Sequence, residues 1–293
     1  MSLRQQLRGT GVAIVTPFQA DFSIDYVALD RIIDFVITGG VEYIVTMGTT
    51  GETPTISKKE KKTIVEYTYE KVDGRVPVVV GVGGNNTAEL VEELKSLPLE
   101  AATAVLSASP YYSKPSQEGL FQHYKVLAAA SPKPLLLYNV PGRTGRNLTA
   151  ATTIRLAREV GNIAGIKEAS GDMAQCMEIL RDRPEDFLVV SGDDALAFPQ
   201  IAVGMDGVIS VAANSWPNSF TQMIRLALKG DLKAAKAIND TLIAGYELIF
   251  AENNPAGVKA AMSELKLIGN HVRLPLVPLS EGLHARLRAY MHA

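Results

Sequence analysis

Lys167 stands at the end of a short apolar run, Asn162-Ile163-Ala164-Gly165-Ile166, and a polar turn, Ser170-Gly171-Asp172, follows it. A lysine held among apolar neighbours at the exit of a strand loses hydration, which disfavours its ammonium form. The free amine can then attack a keto carbon and form a Schiff base. The alternative is a lysine whose stem packs on the fold while its head reaches water. Other residues fit for chemistry stand at comparable places. Tyr138 ends the run Leu135-Leu136-Leu137; its hydroxyl either faces the same mouth and passes protons to Lys167, or caps the core with its tip in water. The loop Gly48-Thr49-Thr50-Gly51 offers two hydroxyls and successive backbone N–H groups. These suit a small carboxylate, or else a turn bonded to its own backbone. Arg143, between Pro141-Gly142 and Gly145, can hold a carboxylate bidentately or lie in solvent. Asp193 and Asp194 begin a helix, where acids serve as caps, so no metal is expected there. The Gly81-Val82-Gly83-Gly84 loop lacks the dinucleotide-binding pattern.

What positions these residues is an alternation of short β-branched runs with helical patterns. Strands are expected at 11–15, 43–47, 76–80, 103–106, 135–138, 162–167, 187–190 and 207–210. Helices are expected from Asp25 to the Gly39-Gly40 stop, from the Ser57/Glu60 capping box to Lys71, and from Thr87. Five more are expected at 116–130, 149–160, 172–181, 195–203 and 217–228. Eight strand–helix pairs with fully apolar strands predict an α/β fold, a (β/α)8 TIM barrel; an open doubly wound sheet is the rival. Residues 231–293 read as three helices, 231–250, 255–267 and 281–292, with 274–278 as an extended connection. The expected division is therefore a barrel over 1–230 and a C-terminal three-helix segment, 231–293, packed on it. In a parallel barrel, Thr49, Thr50, Tyr111, Tyr112, Tyr138, Arg143 and Lys167 all fall at the C-terminal ends of strands, where such barrels do chemistry.

The chain has 293 residues, 47% hydrophobic and 20% charged, with a formal net charge of −2. That suits a globular protein with a sizeable core and gives no sign of a nucleic-acid or membrane-surface partner. The single cysteine, Cys176, excludes an internal disulfide framework and a Cys-rich metal site; it reads as a packing residue in a reducing compartment. No apolar stretch near the N-terminus is long enough for a signal or membrane segment. A cytoplasmic location is expected.

Three segments carry a resemblance to a known group. Gly48-Thr49-Thr50-Gly51-Glu52, Tyr138-Asn139-Val140-Pro141 and Gly165-Ile166-Lys167-Glu168 resemble the signature segments of the pyruvate-dependent class I aldolases of the N-acetylneuraminate lyase superfamily. Within it, Pro110-Tyr111-Tyr112, Tyr138 to Gly145 and Ser191-Gly192-Asp193-Asp194 resemble the dihydrodipicolinate synthase family. The similarity runs over nearly the whole chain; Gly142 departs from it, standing where that family often has serine. The resemblance implies condensation of pyruvate with L-aspartate 4-semialdehyde to 4-hydroxy-tetrahydrodipicolinate, in lysine and diaminopimelate biosynthesis, without metal or organic cofactor. Lys167 would form the Schiff base. Thr49 and Thr50 would hold the pyruvate carboxylate, and Tyr138, Thr50 and Tyr112 would shuttle protons. The family supplies the last tyrosine from a neighbouring subunit, in a dimer usually doubled to a tetramer. Arg143 would bind the semialdehyde carboxylate, with Gly192 and Ile209 lining the pocket through their backbones. Thr53, Pro54, Lys58, Lys61, Asn85, Glu89 and Tyr111 match an effector site that takes free lysine. Lys58 and Lys61 depart from the lysine-sensitive pattern, which predicts weak feedback inhibition. The alternatives are another superfamily aldolase, such as N-acetylneuraminate lyase or a 2-keto-3-deoxy sugar acid aldolase, and a non-catalytic barrel that binds a keto acid.

Overall fold

The computed structural model describes residues 1–292. Eight parallel strands close into a barrel in sequence order, the closed arrangement rather than the open rival. They are β1 (Gly9–Ala13), β2 (Tyr43–Thr46), β3 (Val78–Gly81), β4 (Ala104–Ala108), β5 (Leu135–Asn139), β6 (Ile163–Glu168), β7 (Leu188–Ser191) and β8 (Gly207–Ser210). β1 pairs with β8, Gly9 opposite Gly207 and Val12 opposite Ser210, which completes the ring.

Strand side chains alternate between two cores. The inner one fills the barrel with Ala13, Tyr43, Val79, Leu106, Leu136, Val190 and their neighbours. Gly11 makes room there: a Cβ on it would fall 2.2 Å from the Tyr43 ring. The N-terminal stretch, which reads as merely polar, forms a one-turn helix, Leu3–Gln6, and sends the fully buried Leu7 into the floor of the same core. The larger outer core lies between strands and helices and takes residues such as Ile32, Ile33, Ile64, Val105, Leu127, Ile166 and Ile224. Burying one such side chain is worth roughly 1.5–3 kcal/mol, so the two layers supply most of the driving force.

Helix starts follow the capping signals. Asp25 accepts from Ala28 N at 2.9 Å, and the Ser57/Glu60 capping box is closed. The first strand lies two residues earlier than its apolar run suggests. Ile14 and Val15 are buried but leave the ladder at the rim. Their N–H groups go to Val45 O at 3.1 Å and Asn214 Oδ1 at 3.3 Å. Apolarity marks burial; it does not mark where a ladder stops. The expected helix 255–267 is shorter, Ala256–Glu264, because Lys266 takes a left-handed φ of 59°. Within 274–278, Leu274 and Pro275 form a turn. The helix Leu232–Phe250 packs on Pro217–Leu228 and Asp194–Ala202, and Glu281–Met291 packs on Leu232–Phe250 and Ala256–Glu264.

Candidate active site

Tyr138 and Lys167 are register partners on β5 and β6. Alternation turns both into the barrel and turns the next residues, Asn139 and Glu168, outward. Lys167 is only 5% exposed, and its Nζ lies 4.3 Å from the centre of the Tyr138 ring. Two other lysines near the mouth, the half-buried Lys61 and the fully buried Lys259, have acidic partners in Glu93 and Glu52; among the described residues Lys167 pairs with no carboxylate. Gly192, at the exit of β7, leaves space for the lysine stem. A Cβ there would stand 2.8 Å from Lys167 Cε and 2.6 Å from Ala169 Cβ.

Above this pair opens a cavity of about 760 Å³, lined among others by Thr49, Thr50, Tyr138, Arg143, Lys167, Gly192 and Asn254. The structure thus brings the two threonines, the tyrosine, the arginine and the lysine to one mouth. Thr49–Gly51 and Thr53–Thr55 are single 3-10 turns, with Glu52 left-handed between them at φ 56°. The Thr53 hydroxyl bonds to Met47 O at 2.7 Å and to Gly48 O at 2.8 Å, pinning the loop to the end of β2. Thr50 is 3% exposed, and its hydroxyl accepts from Asn254 Nδ2 at 3.1 Å. The Thr49 hydroxyl has no hydrogen-bond partner among the described residues and lines the cavity.

The stretch around Arg143, which reads as a loop, is a short helix, Pro141–Thr144. Pro141 opens it with φ already set and Gly145 stops it at φ 71°. Arg143 Nη2 donates to the carbonyl of Asn254 at 3.3 Å. A Cβ at Gly142 meets no atom within 4 Å, so the departure from serine leaves the backbone course unaltered.

Two anchors were missed from sequence, and both come from the C-terminal segment. Asn254 touches Thr50 and Arg143 together. Lys259 and Glu52 form an ion pair with both side chains fully buried. Glu52 also accepts from Arg273 N at 2.9 Å, and Lys259 lies 4.1 Å from the Phe18 ring centre. The signal for the pair was an acid closing a Gly-Thr-Thr-Gly loop and a lysine amid the apolar residues of 256–262; spacing along the chain gives no reason to join them.

Asp193 caps its helix, accepting from Ala195 N at 3.0 Å and Leu196 N at 3.3 Å. Asp194 differs from the expected cap. It turns inward and accepts from Val211 N at 3.1 Å and Ala212 N at 2.9 Å, bracing the exit of β8, and burial pushes its carboxyl up to about 6. Ile209 is 1% exposed and belongs to the inner core that also holds Tyr138. Tyr111 lines the cavity and its N–H donates to Asn85 Oδ1 at 2.7 Å. Tyr112 is 91% exposed with φ 65° and is not among the residues that line the cavity of its own chain. Of the residues expected to form the effector site, Thr53, Pro54, Lys61 and Tyr111 line the cavity, whereas Lys58, Asn85 and Glu89 are exposed. Cys176 is buried in the helix Met173–Asp182, and burial pushes its thiol up to about 12. Among the described residues, no helix is long and apolar enough to cross a membrane, and no three His, Cys, Asp or Glu side chains gather as a metal site.

The chain matches the model of the dihydrodipicolinate synthetase family over residues 6–293. It is 49% identical over 283 residues to 4-hydroxy-tetrahydrodipicolinate synthase of Flavobacterium psychrophilum, covering 97% of each chain. Its fold is similar to the chloride-inhibited dihydrodipicolinate synthase of Acinetobacter baumannii solved with pyruvate, with a TM-score of 0.95, 39% identity and 98% of each chain covered. It is also similar to a DHDPS from Cyanidioschyzon merolae solved with lysine bound, with a TM-score of 0.92, 34% identity, and 98% and 97% of the two chains covered. Match length and identity, on a closed barrel with a buried lysine at its mouth, assign the chain to the dihydrodipicolinate synthetase family.

Proposed function

We propose that the chain condenses pyruvate with L-aspartate 4-semialdehyde through a Schiff base on Lys167, giving 4-hydroxy-tetrahydrodipicolinate on the route to diaminopimelate and lysine. The observation that carries this reading is the Lys167 amine, buried over the Tyr138 ring and facing no carboxylate among the described residues. The amine adds to the keto carbon and water leaves. The iminium draws electrons from the methyl group, a proton departs, and an enamine remains. The enamine carbon bonds to the aldehyde carbon, whose oxygen takes a proton. The amino group of the semialdehyde half then attacks the imine carbon and expels the Lys167 amine, closing the ring. The iminium is itself the electron sink.

Thr49 and Thr50 hold the pyruvate carboxylate. Tyr138, Thr50 and a neighbouring subunit's Tyr112 move protons; the Thr50 hydroxyl accepts from Asn254 Nδ2, which orients it and leaves its own O–H free to donate. Arg143 holds the carboxylate of the second substrate, with Gly192 shaping the wall; Ile209, expected beside it, lies in the inner core and is not among the lining residues. Residues 231–293 act as an extension of the barrel over 1–230, completing its mouth. A cytoplasmic location rests on the single buried cysteine, as in a chain that does not depend on disulfides.

A coupled assay with pyruvate and a panel of aldehydes tests the substrate assignment. Aspartate semialdehyde is expected to react best. Arg143→Ala should cost about 10- to 100-fold in kcat/KM for it, the worth of a charged hydrogen-bonded contact, while pyruvate still forms its adduct. Preference for a sugar aldehyde would instead point to the sugar acid aldolases of the superfamily.

Tyr112 supports a shared site. A left-handed, almost fully exposed tyrosine is costly on a monomer, and in a homodimer, doubled or not to a tetramer, it would reach the neighbour's cavity. Sedimentation paired with activity should show the dimer active and the monomer inactive; a fully active monomer refutes the shared site.

Free lysine is expected to inhibit weakly. Lys61 is held in the cavity wall by Glu93 at 2.7 Å instead of swinging into solvent, its side chain 15% exposed. Two like charges 4 Å apart at an effective dielectric near 20 repel by about 4 kcal/mol. Glu93 offsets much of that, and about a third remaining weakens binding about tenfold. Titration of lysine into the steady-state assay decides this: strong submillimolar inhibition contradicts it, and a Lys61→His variant should become more sensitive.

A further inference from the structure

On the outer face of the same two strands lies a buried polar cluster that the proposed chemistry does not use. Asn139 and Glu168, the residues after Tyr138 and Lys167, are register partners, and both are fully buried. The Glu168 carboxylate accepts from Ser170 N at 2.7 Å and Gln175 Nε2 at 3.1 Å. Asn139 Nδ2 donates to both of its oxygens, at 3.2 and 3.0 Å. No cation reaches it among the described residues. Asn139 is fixed from its other side as well: its Nδ2 donates to Asn147 Oδ1 at 2.7 Å and its Oδ1 accepts from Leu148 N at 2.9 Å. Asn147 Nδ2 donates to Gln175 Oε1 at 2.8 Å, which closes a ring of four side chains. Every group aimed at residue 168 is an N–H donor. A carboxylate, which only accepts, satisfies them all; an amide of the same shape would turn its own N–H2 against one of them.

We infer that Glu168 is a positioning residue for Lys167. Its carboxylate ties the end of β6 to the end of β5 and to the helix Met173–Asp182, and this fixes Lys167 over Tyr138 across one strand pair. The inference rests on the Schiff-base reading, because a 1 Å misplacement of a reacting amine costs rate while leaving the fold intact. A carboxylate that merely fills the core would affect unfolding and leave the rate per folded molecule alone.

The test is the rate constant for trapping of saturating pyruvate on Lys167 by borohydride, measured with the thermal midpoint of each variant. Glu168→Gln is expected to slow trapping about tenfold or more, and Gln175→Met, which removes one donor to Glu168 from the helix and leaves the sequence of both strands unchanged, to slow it by about half that factor. Asn139→Asp alone places two carboxylates face to face and should be slow too. The pair Asn139→Asp with Glu168→Gln restores one donor and one acceptor across that contact and, with the Asn147 and Gln175 amides turned over to match, should trap faster than either single variant. Wild-type trapping by Glu168→Gln overturns the inference, and so does a double variant no faster than the singles. If Glu168→Gln does not fold, unchanged trapping by Gln175→Met overturns it. A wild-type chain that traps no keto acid sinks the Schiff-base reading and this inference with it, whereas equal trapping by wild type and variants sinks this inference alone.

Discussion

Alanine at position 167 should abolish the borohydride-trapped pyruvate adduct and lower kcat by roughly 10⁴-fold or more, the scale on which loss of a covalent nucleophile is felt. No neighbour can take over. The one other lysine lining the cavity among the described residues is Lys61, whose amine is bound to Glu93 at 2.7 Å. Lys259 is fully buried and held by Glu52. Folding should survive, because the truncation removes a strand-end side chain that makes no ion pair among the described residues. The check is intact-protein mass after reduction with pyruvate, beside a circular dichroism melt. An adduct of unchanged yield in Lys167→Ala, or near-normal turnover, would remove the lysine from the mechanism.

The largest effect on stability is expected at Lys259. Lys259→Met leaves Glu52 charged, fully buried and without its cation, and breaking a buried pair from one side costs roughly 3–5 kcal/mol. The denaturant midpoint should fall with little change in slope. Lys259→Met combined with Glu52→Leu removes both charges and should recover a good part of the loss. Activity should stay low in that double variant even at temperatures where it is folded, because Glu52 also accepts from Arg273 N at 2.9 Å and sits between the two turns that present Thr49 and Thr50. If stability and turnover both return, the pair has no part in shaping the loop.

The barrel was legible because its signal is local and repeated. Each strand is a short β-branched run, and Ser57 with Glu60 or Asp25 with Ala28 writes a helix start within a few residues. Lys167, Tyr138, Thr49, Thr50 and Arg143 were legible because each stands where an apolar run meets a polar turn. Asn254, Lys259 and the Asn139–Glu168 ring were not. A buried asparagine or lysine gives away its place only through its partner, and those partners lie far off in the chain. Asp194 looked like a cap for the same reason: its neighbour in sequence is one, and the N–H groups it braces belong to the next strand's exit. The Pro141–Thr144 helix carried its own markers, proline at its start and glycine at its end, but four residues are too few to show a periodicity.

The contacts that lock the Thr49–Thr50 loop at the barrel mouth also set an order in time. Thr50 waits for Asn254, 204 residues later; Glu52 waits for Lys259, 207 residues later, and for Arg273, 221 residues later. A chain emerging from the ribosome can pair β1 with β2 long before these partners exist, and domains begin to fold from the N-terminal side during synthesis. Until the segment around 254–273 has emerged, the Thr49–Thr50 loop has neither its ion pair nor its amide brace. A nascent barrel would therefore carry Lys167 without a finished Thr49–Thr50 loop, and on the proposed mechanism its amine would meet pyruvate productively only once translation had passed the last of these anchors.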